Sequence, residues 1–152
     1  MRDIKNIMLA TDFSEVSQNA LDMAAQLKRE LACKVHVVHV FDSSAFEMPA
    51  PYYFMPGVEH WLDDHFSGVK DKGRKALDDL VPELGDNCEG HFLEGSPKHI
   101  IIDFAKKHDI DMIIMGTHGH SGLNHLIMGS VAEYVVRHAP APVLTVRGKE
   151  KA

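Results

Sequence analysis

Two rhythms of apolar residues alternate along the chain. Ile4 to Ala10 is a largely apolar run that stops at Thr11-Asp12-Phe13-Ser14-Glu15; it predicts a central strand, with Asp12 or Ser14 capping whatever follows. Val16, Ala20, Met23, Ala24, Leu27 and Leu31 then recur at three- and four-residue steps, which is one stripe of a helix laid on a sheet. Lys34 to Phe41 is β-branched and alternating at its start, a second strand.

From 42 to 57 both rhythms are lost. Pro49, Pro51 and Pro56 interrupt a segment that carries Phe46, Met48, Tyr52, Tyr53 and Phe54. A loop of this length reads as an insertion tucking aromatics onto the domain, with a lid or partner patch as the alternative. The helical period returns over Val58 to Leu84, with Leu62, Phe66, Val69, Leu77, Leu80 and Leu84 as its expected buried side. Gly68, Gly73 and Pro82 weaken that helix.

Cys88 to Leu93 is polar enough for an edge strand. Ser96 and Pro97 suit the N-cap and first position of a helix that buries Ile100, Ile101, Phe104 and Ala105. Met112 to Met115 is a fourth, buried strand, and Val131, Ala132, Val135 and Val136 mark the inner face of a last helix. Pro142 to Val146 closes the chain as a fifth strand. Strands that alternate with helices imply an α/β fold with a parallel sheet and right-handed crossovers.

The most informative stretch joins the fourth strand to the last helix. Gly116, Gly119 and Gly129 leave room for a bulky anion to approach backbone N–H groups. Ser130-Val131-Ala132-Glu133 has the form of a capping box, with Ser130 as N-cap. A helix start there offers unpaired N–H donors and the positive end of a dipole. Strand, glycine loop and helix start together suit a phosphate.

Composition narrows the partners. At 152 residues with 45% hydrophobic and 25% charged content, the chain fits one globular domain. A net charge of −6 argues against nucleic acid or an anionic membrane surface as partner. No apolar run reaches spanning length and no signal-peptide core follows Met1, so a cytoplasmic protein is expected. Cys33 and Cys88 lack metal-ligand spacing and read as free thiols. The eleven histidines match no established zinc spacing and read as exposed loop residues, so no metal ligand is predicted.

Gly-x2-Gly-x9-Gly-Ser directly after a strand, carried by Gly116, Gly119, Gly129 and Ser130, resembles the nucleotide signature of the universal stress protein family in its ATP-binding branch. The resemblance runs the length of the chain and implies one nucleotide-binding domain over 1–152. It implies an open doubly wound, Rossmann-like five-stranded parallel sheet of order 3-2-1-4-5, with helices on both faces. Strands one and four would then meet at the switch point, where such sheets place ligands. It also assigns roles: Ala10, Thr11 and Asp12 toward adenine and ribose, the Val40 backbone at the adenine edge, and Met115 and Gly116 under the ribose. Gly119, Gly129, Ser130 and Val131 would hold a triphosphate through backbone N–H groups. Asp12 as a simple helix cap is the competing reading.

Other motifs weigh less. Thr117-His118-Gly119-His120 satisfies the T-x-G-H pattern of nucleotidylyltransferases, but it follows the fourth strand rather than the first. There is no G-x-x-x-x-G-K-[ST] loop. The sequence therefore favours an ATP-binding stress-response regulator over a slow ATP hydrolase, a nucleotidyl-transferring enzyme or a scaffold without nucleotide. No catalytic residue is assigned, because a general base and a nearby arginine are not evident and phosphoryl transfer uses such parts. Few cationic side chains flank the site, so Mg²⁺ or Mn²⁺ is expected with the ATP. Residues 142–147, apolar and at the sheet edge in the implied order, predict a homodimer through that strand. A further protein partner is left open.

Overall fold

The computed structural model describes residues 2–46, 51, 54–118 and 128–148. Five parallel strands form one sheet: β1 (Asn6–Ala10), β2 (Lys34–Asp42), β3 (Cys88–Gly95), β4 (Met112–Gly116) and β5 (Val143–Val146). Their order is β3-β2-β1-β4-β5, the order that the resemblance implies. Among the described residues they are connected through α1 (Glu15–Leu31), α2 (Val58–Leu80), α3 (Pro97–Lys107) and α4 (Ser130–His138).

The sheet is buried from both sides because β1 past Asn6 and β4 up to Gly116 present apolar side chains to both faces. Ile7, Met8 and Leu9 of β1 and Ile113 and Ile114 of β4 have no solvent exposure. Their alternation divides the core into two layers. Met8, Val38, Ile113 and Met115 face Ile101, Phe104 and Val135 of α3 and α4. Ile7, Leu9, Val35 and Ile114 face Leu21 of α1 and Leu77 of α2. The outermost strands β3 and β5 are only half covered.

Local differences from the sequence pattern have physical causes. The helix after the loop leaves α geometry at Leu80, and Val81–Leu84 continue as a 3₁₀ turn with Pro82 near its start. Val69 is 52% exposed rather than buried; it lies at the mouth of the crevice described below. Val136 is 46% exposed, because Ala132 and Val135 already occupy the inner face of α4. Helix α4 begins at Ser130, with Gly129 as its extended N-cap. The Gly129 carbonyl accepts from Glu133 N at 2.9 Å, so Ser130 stands inside the first turn and the expected capping box does not form, a glycine N-cap having no side chain to make it.

Of the 42–57 insertion, Ser43–Phe46 form a 3₁₀ turn, started by the Asp42 carboxylate accepting from Ser44 N at 3.0 Å. Residues 47–50, 52 and 53 lie outside the described residues. Cys33 and Cys88 are free thiols. The histidines are not all loop residues. His36 of β2 is 5% exposed, and burial pulls its imidazole down to about 4.

The amino ends of β1 and β4 are clamped by one side chain. Asp111 Oδ2 accepts from the backbone N–H of Lys5 and of Asn6, each at 2.9 Å, while Asp111 N donates to Asn6 O at 2.9 Å. Those two donors hold the carboxyl below the usual aspartate range. Asp111→Ala should lower unfolding free energy by about 1–2 kcal/mol, read by urea denaturation at neutral pH. The wild-type contribution is present above the ordinary aspartate pKa and fades as pH falls through it toward the lower folded value. The gap between wild type and Asp111→Ala should therefore close in acid.

Candidate functional site

The carboxyl ends of β1, β2 and β4 open on a crevice of about 480 Å³. Register brings its walls together: Ala10 pairs with Val38 on one side and with Met115 on the other. Thr11 N donates to Val38 O at 3.0 Å, extending the ladder one step past β1. His39 Nδ1 lies 2.9 Å from Thr11 O, so that nitrogen carries the proton and ties the two strand ends together.

Past Thr11 the chain turns sharply into α1. Thr11 Oγ1 accepts from Phe13 N at 3.1 Å, and Phe13 takes a positive φ of 63°, uncommon for a bulky residue. Asp12 Oδ1 accepts from Ser14 N at 3.0 Å and from Ser17 Oγ at 2.6 Å. Ser14 is the N-cap, its Oγ accepting from Ser17 N. The two sequence readings of this turn are reconciled: Ser14 caps the helix, and Asp12 braces the turn while still lining the crevice.

The opposite wall is the end of β4. Thr117 N donates to Val146 O at 3.0 Å, which carries the β4–β5 ladder past Gly116. Thr117 O accepts from Gly129 N at 2.7 Å, so the start of α4 is fastened directly to the end of β4. Gly116 has a packing role that the motif did not disclose. A Cβ there would stand 2.8 Å from Val16 Cγ1, closer than a real Cβ tolerates, so α1 packs against this glycine.

Thr11, Asp12, Val40, Met115, Gly116 and Val131 line the crevice together. Ala10 is buried just behind them, while Gly129 and Ser130 stand at the start of α4. Gly119 lies outside the described residues. Sequence reasoning missed Ser17, Phe41, Asp42, Pro97, Ile101 and His118, which also line it. Ser17 alone had a legible signal, in the run Asp12-x-Ser14-x-x-Ser17.

The walls combine four valines, Phe41, Pro97, Ile101 and Met115 with the polar side chains of Thr11, Asp12, Ser17, His39, Asp42 and His118, an apolar lining with a few polar groups of the kind small-molecule sites use. Among the described lining residues there is no lysine or arginine, whereas Asp12 and Asp42 are both present. An anion seated here would rely on backbone donors and on an accompanying cation.

The model of the universal stress protein family matches residues 3–147. The chain belongs to that family. Universal stress protein MJ0531 of Methanocaldococcus jannaschii is 34% identical over 151 residues, covering 97% of this chain and 84% of its own length. The solved structure of MJ0577, from the same organism, superposes with a TM-score of 0.84 at 27% identity and covers 99% of this chain and 100% of that one. A universal stress protein family member of Arabidopsis thaliana, solved with AMP bound, gives a TM-score of 0.65 at 22% identity over 95% of this chain and 92% of that one. At that identity it shares the fold of this universal stress protein, and the nucleotide is a fact about the Arabidopsis protein.

Proposed function

We propose that this universal stress protein binds ATP in the crevice between β1 and β4, and acts as a regulator whose bound state biases a homodimer or partner contact. One observation carries the reading. Three strand ends from distant parts of the sequence converge on an apolar crevice, and the N-terminus of α4 is fastened to the end of β4 by the Gly129–Thr117 bond.

In this reading Ala10, Thr11, Asp12 and the Val40 backbone meet the adenosine, with Met115 and Gly116 under the ribose. Gly119, Ser130 and Val131 offer N–H groups to the phosphates at the positive end of α4; Gly129, whose own N–H is given to Thr117 O at 2.7 Å, contributes the missing Cβ that lets them approach. The acidic wall, without lysine among the described residues, suits a divalent ion held by phosphate oxygens and water, with no protein ligand. Arg137, the nearest arginine in sequence, pairs with Glu133 at 2.9 Å on the exposed side of α4. That supports binding over dedicated phosphoryl transfer, which uses a cation at the transferring group.

Calorimetric titration of ATP into the full chain tests this. Saturable binding in the presence of Mg²⁺, weakened by chelator, is expected. Absence of heat from folded protein overturns the nucleotide reading, and unchanged affinity after chelation overturns the role of the ion.

A further inference from the structure

β2 and β3 carry a second group of side chains toward α3. In the parallel register His36 stands opposite Glu89 and Val38 opposite His91. His36, Glu89 and His91 therefore share one face. His36 Nδ1 and His91 Nε2 are 3.0 Å apart, and Glu89 Oε1 lies 3.9 Å from the same His91 nitrogen. One ligand atom from each of the three residues lies within 4.8 Å of the others. Phe104 closes the apolar side, its ring 5.8 Å from His36 and 4.7 Å from His91 between centroids.

We propose that His36, Glu89 and His91 form a site for one divalent transition-metal ion of the zinc class. Two imidazole nitrogens and a carboxylate oxygen are the ligand types that zinc accepts, whereas magnesium and calcium take oxygen sets. Nitrogens bound to one tetrahedral ion at zinc–nitrogen distances would sit ~3.3 Å apart. Opening the present 3.0 Å pair by a few tenths of an ångström satisfies this without moving either strand. Glu89 Oε2 accepts from Lys34 Nζ at 2.8 Å. The lysine thus orients the carboxylate from outside while Oε1 turns to the ion, an outer-shell arrangement common at metal sites. Glu89 is exposed, which gives the ion an entry path and leaves a fourth position for water.

The site is independent of the nucleotide reading. His36 precedes Val40 by four positions on β2, a separation of about 13 Å along a strand. An ion here would link edge strand β3 to β2 and, by binding only the folded chain, stabilise it.

The test is calorimetric titration of Zn²⁺ into chelator-treated, nucleotide-free full chain, with Co²⁺ absorption as a second readout. One saturable site with visible d–d bands is expected. His91→Ala and, separately, Glu89→Gln should each weaken zinc by about tenfold or more, since even outer-shell losses reach that size. His60→Ala serves as control, because that exposed imidazole lies on α2 and pairs with Asp64 one helical turn on at 3.5 Å. Glu89→Gln changes an exposed side chain and keeps the test valid if His91→Ala fails to fold. Absence of a saturable site in the wild type overturns the proposal. So does wild-type zinc affinity in Glu89→Gln, or a loss of affinity in His60→Ala instead.

Discussion

A Thr145→Pro chain is expected to be monomeric and the wild-type chain a dimer through β5, with the five-stranded sheet intact in both. The hydrogen bonds of β5 make the substitution selective. Ile113 N donates to Pro142 O at 2.9 Å, and Thr117 N to Val146 O at 3.0 Å. Residues 142 and 146 thus face β4, and by the two-residue period Val143 and Thr145 turn their backbone groups toward the open edge. Proline at 145 removes an edge donor and leaves the β4–β5 ladder untouched, the one setting in which a sheet accepts it. In an antiparallel twofold contact the loss occurs twice, at about 1–1.5 kcal/mol per bond. Dimer dissociation should therefore strengthen about a hundredfold. Light scattering at tens of micromolar reads the outcome. A wild-type chain that is monomeric with and without ATP would overturn the dimer.

Gly129→Val is expected to fold and to lose ATP affinity by about a hundredfold, the size of two phosphate hydrogen bonds, because a side chain there stands between the phosphates and the N–H groups of Ser130 and Val131. A Cβ at this position would sit 3.2 Å from Thr117 O. The turn can yield by the few tenths of an ångström needed, but the two γ-methyls of valine then crowd the first turn of α4. Gly129→Ala should fall between wild type and valine. The measurement is ATP titration beside urea unfolding. Wild-type affinity in a folded valine variant would place the phosphates elsewhere. Asp12→Ala, attractive from the sequence, is a poorer test, because it also removes the acceptor of Ser14 N and Ser17 Oγ and loosens the turn into α1.

The strands and helices were legible because each has a single period. Their arrangement was less so: periodicity indicates a parallel sheet, whereas the order β3-β2-β1-β4-β5 came with the family resemblance. The crevice followed from that order. Thr11 and Met115 become neighbours only once β1 lies beside β4. What stayed illegible depends on side-chain direction across elements. Val69 fits the helical stripe of α2 yet faces the crevice mouth, because a stripe states which residues align and not where the helix leaves the sheet. His36 lies more than fifty positions from Glu89 and His91, and only the β2–β3 register makes them neighbours. Glu89-Gly90-His91 did carry a signal, two ligand types on one face of a strand.

The seat of Val16 on Gly116 bears on how the family signature is inherited. Because a methyl group at 116 would meet α1 at 2.8 Å, this glycine is required by the fold whether or not a ligand is ever bound. A descendant that abandoned its ligand would still keep it, unless position 16 had first become smaller. The two positions are therefore free to drift only as a pair. In this chain the glycine is explained by helix placement alone, and its presence by itself says nothing about what the crevice holds.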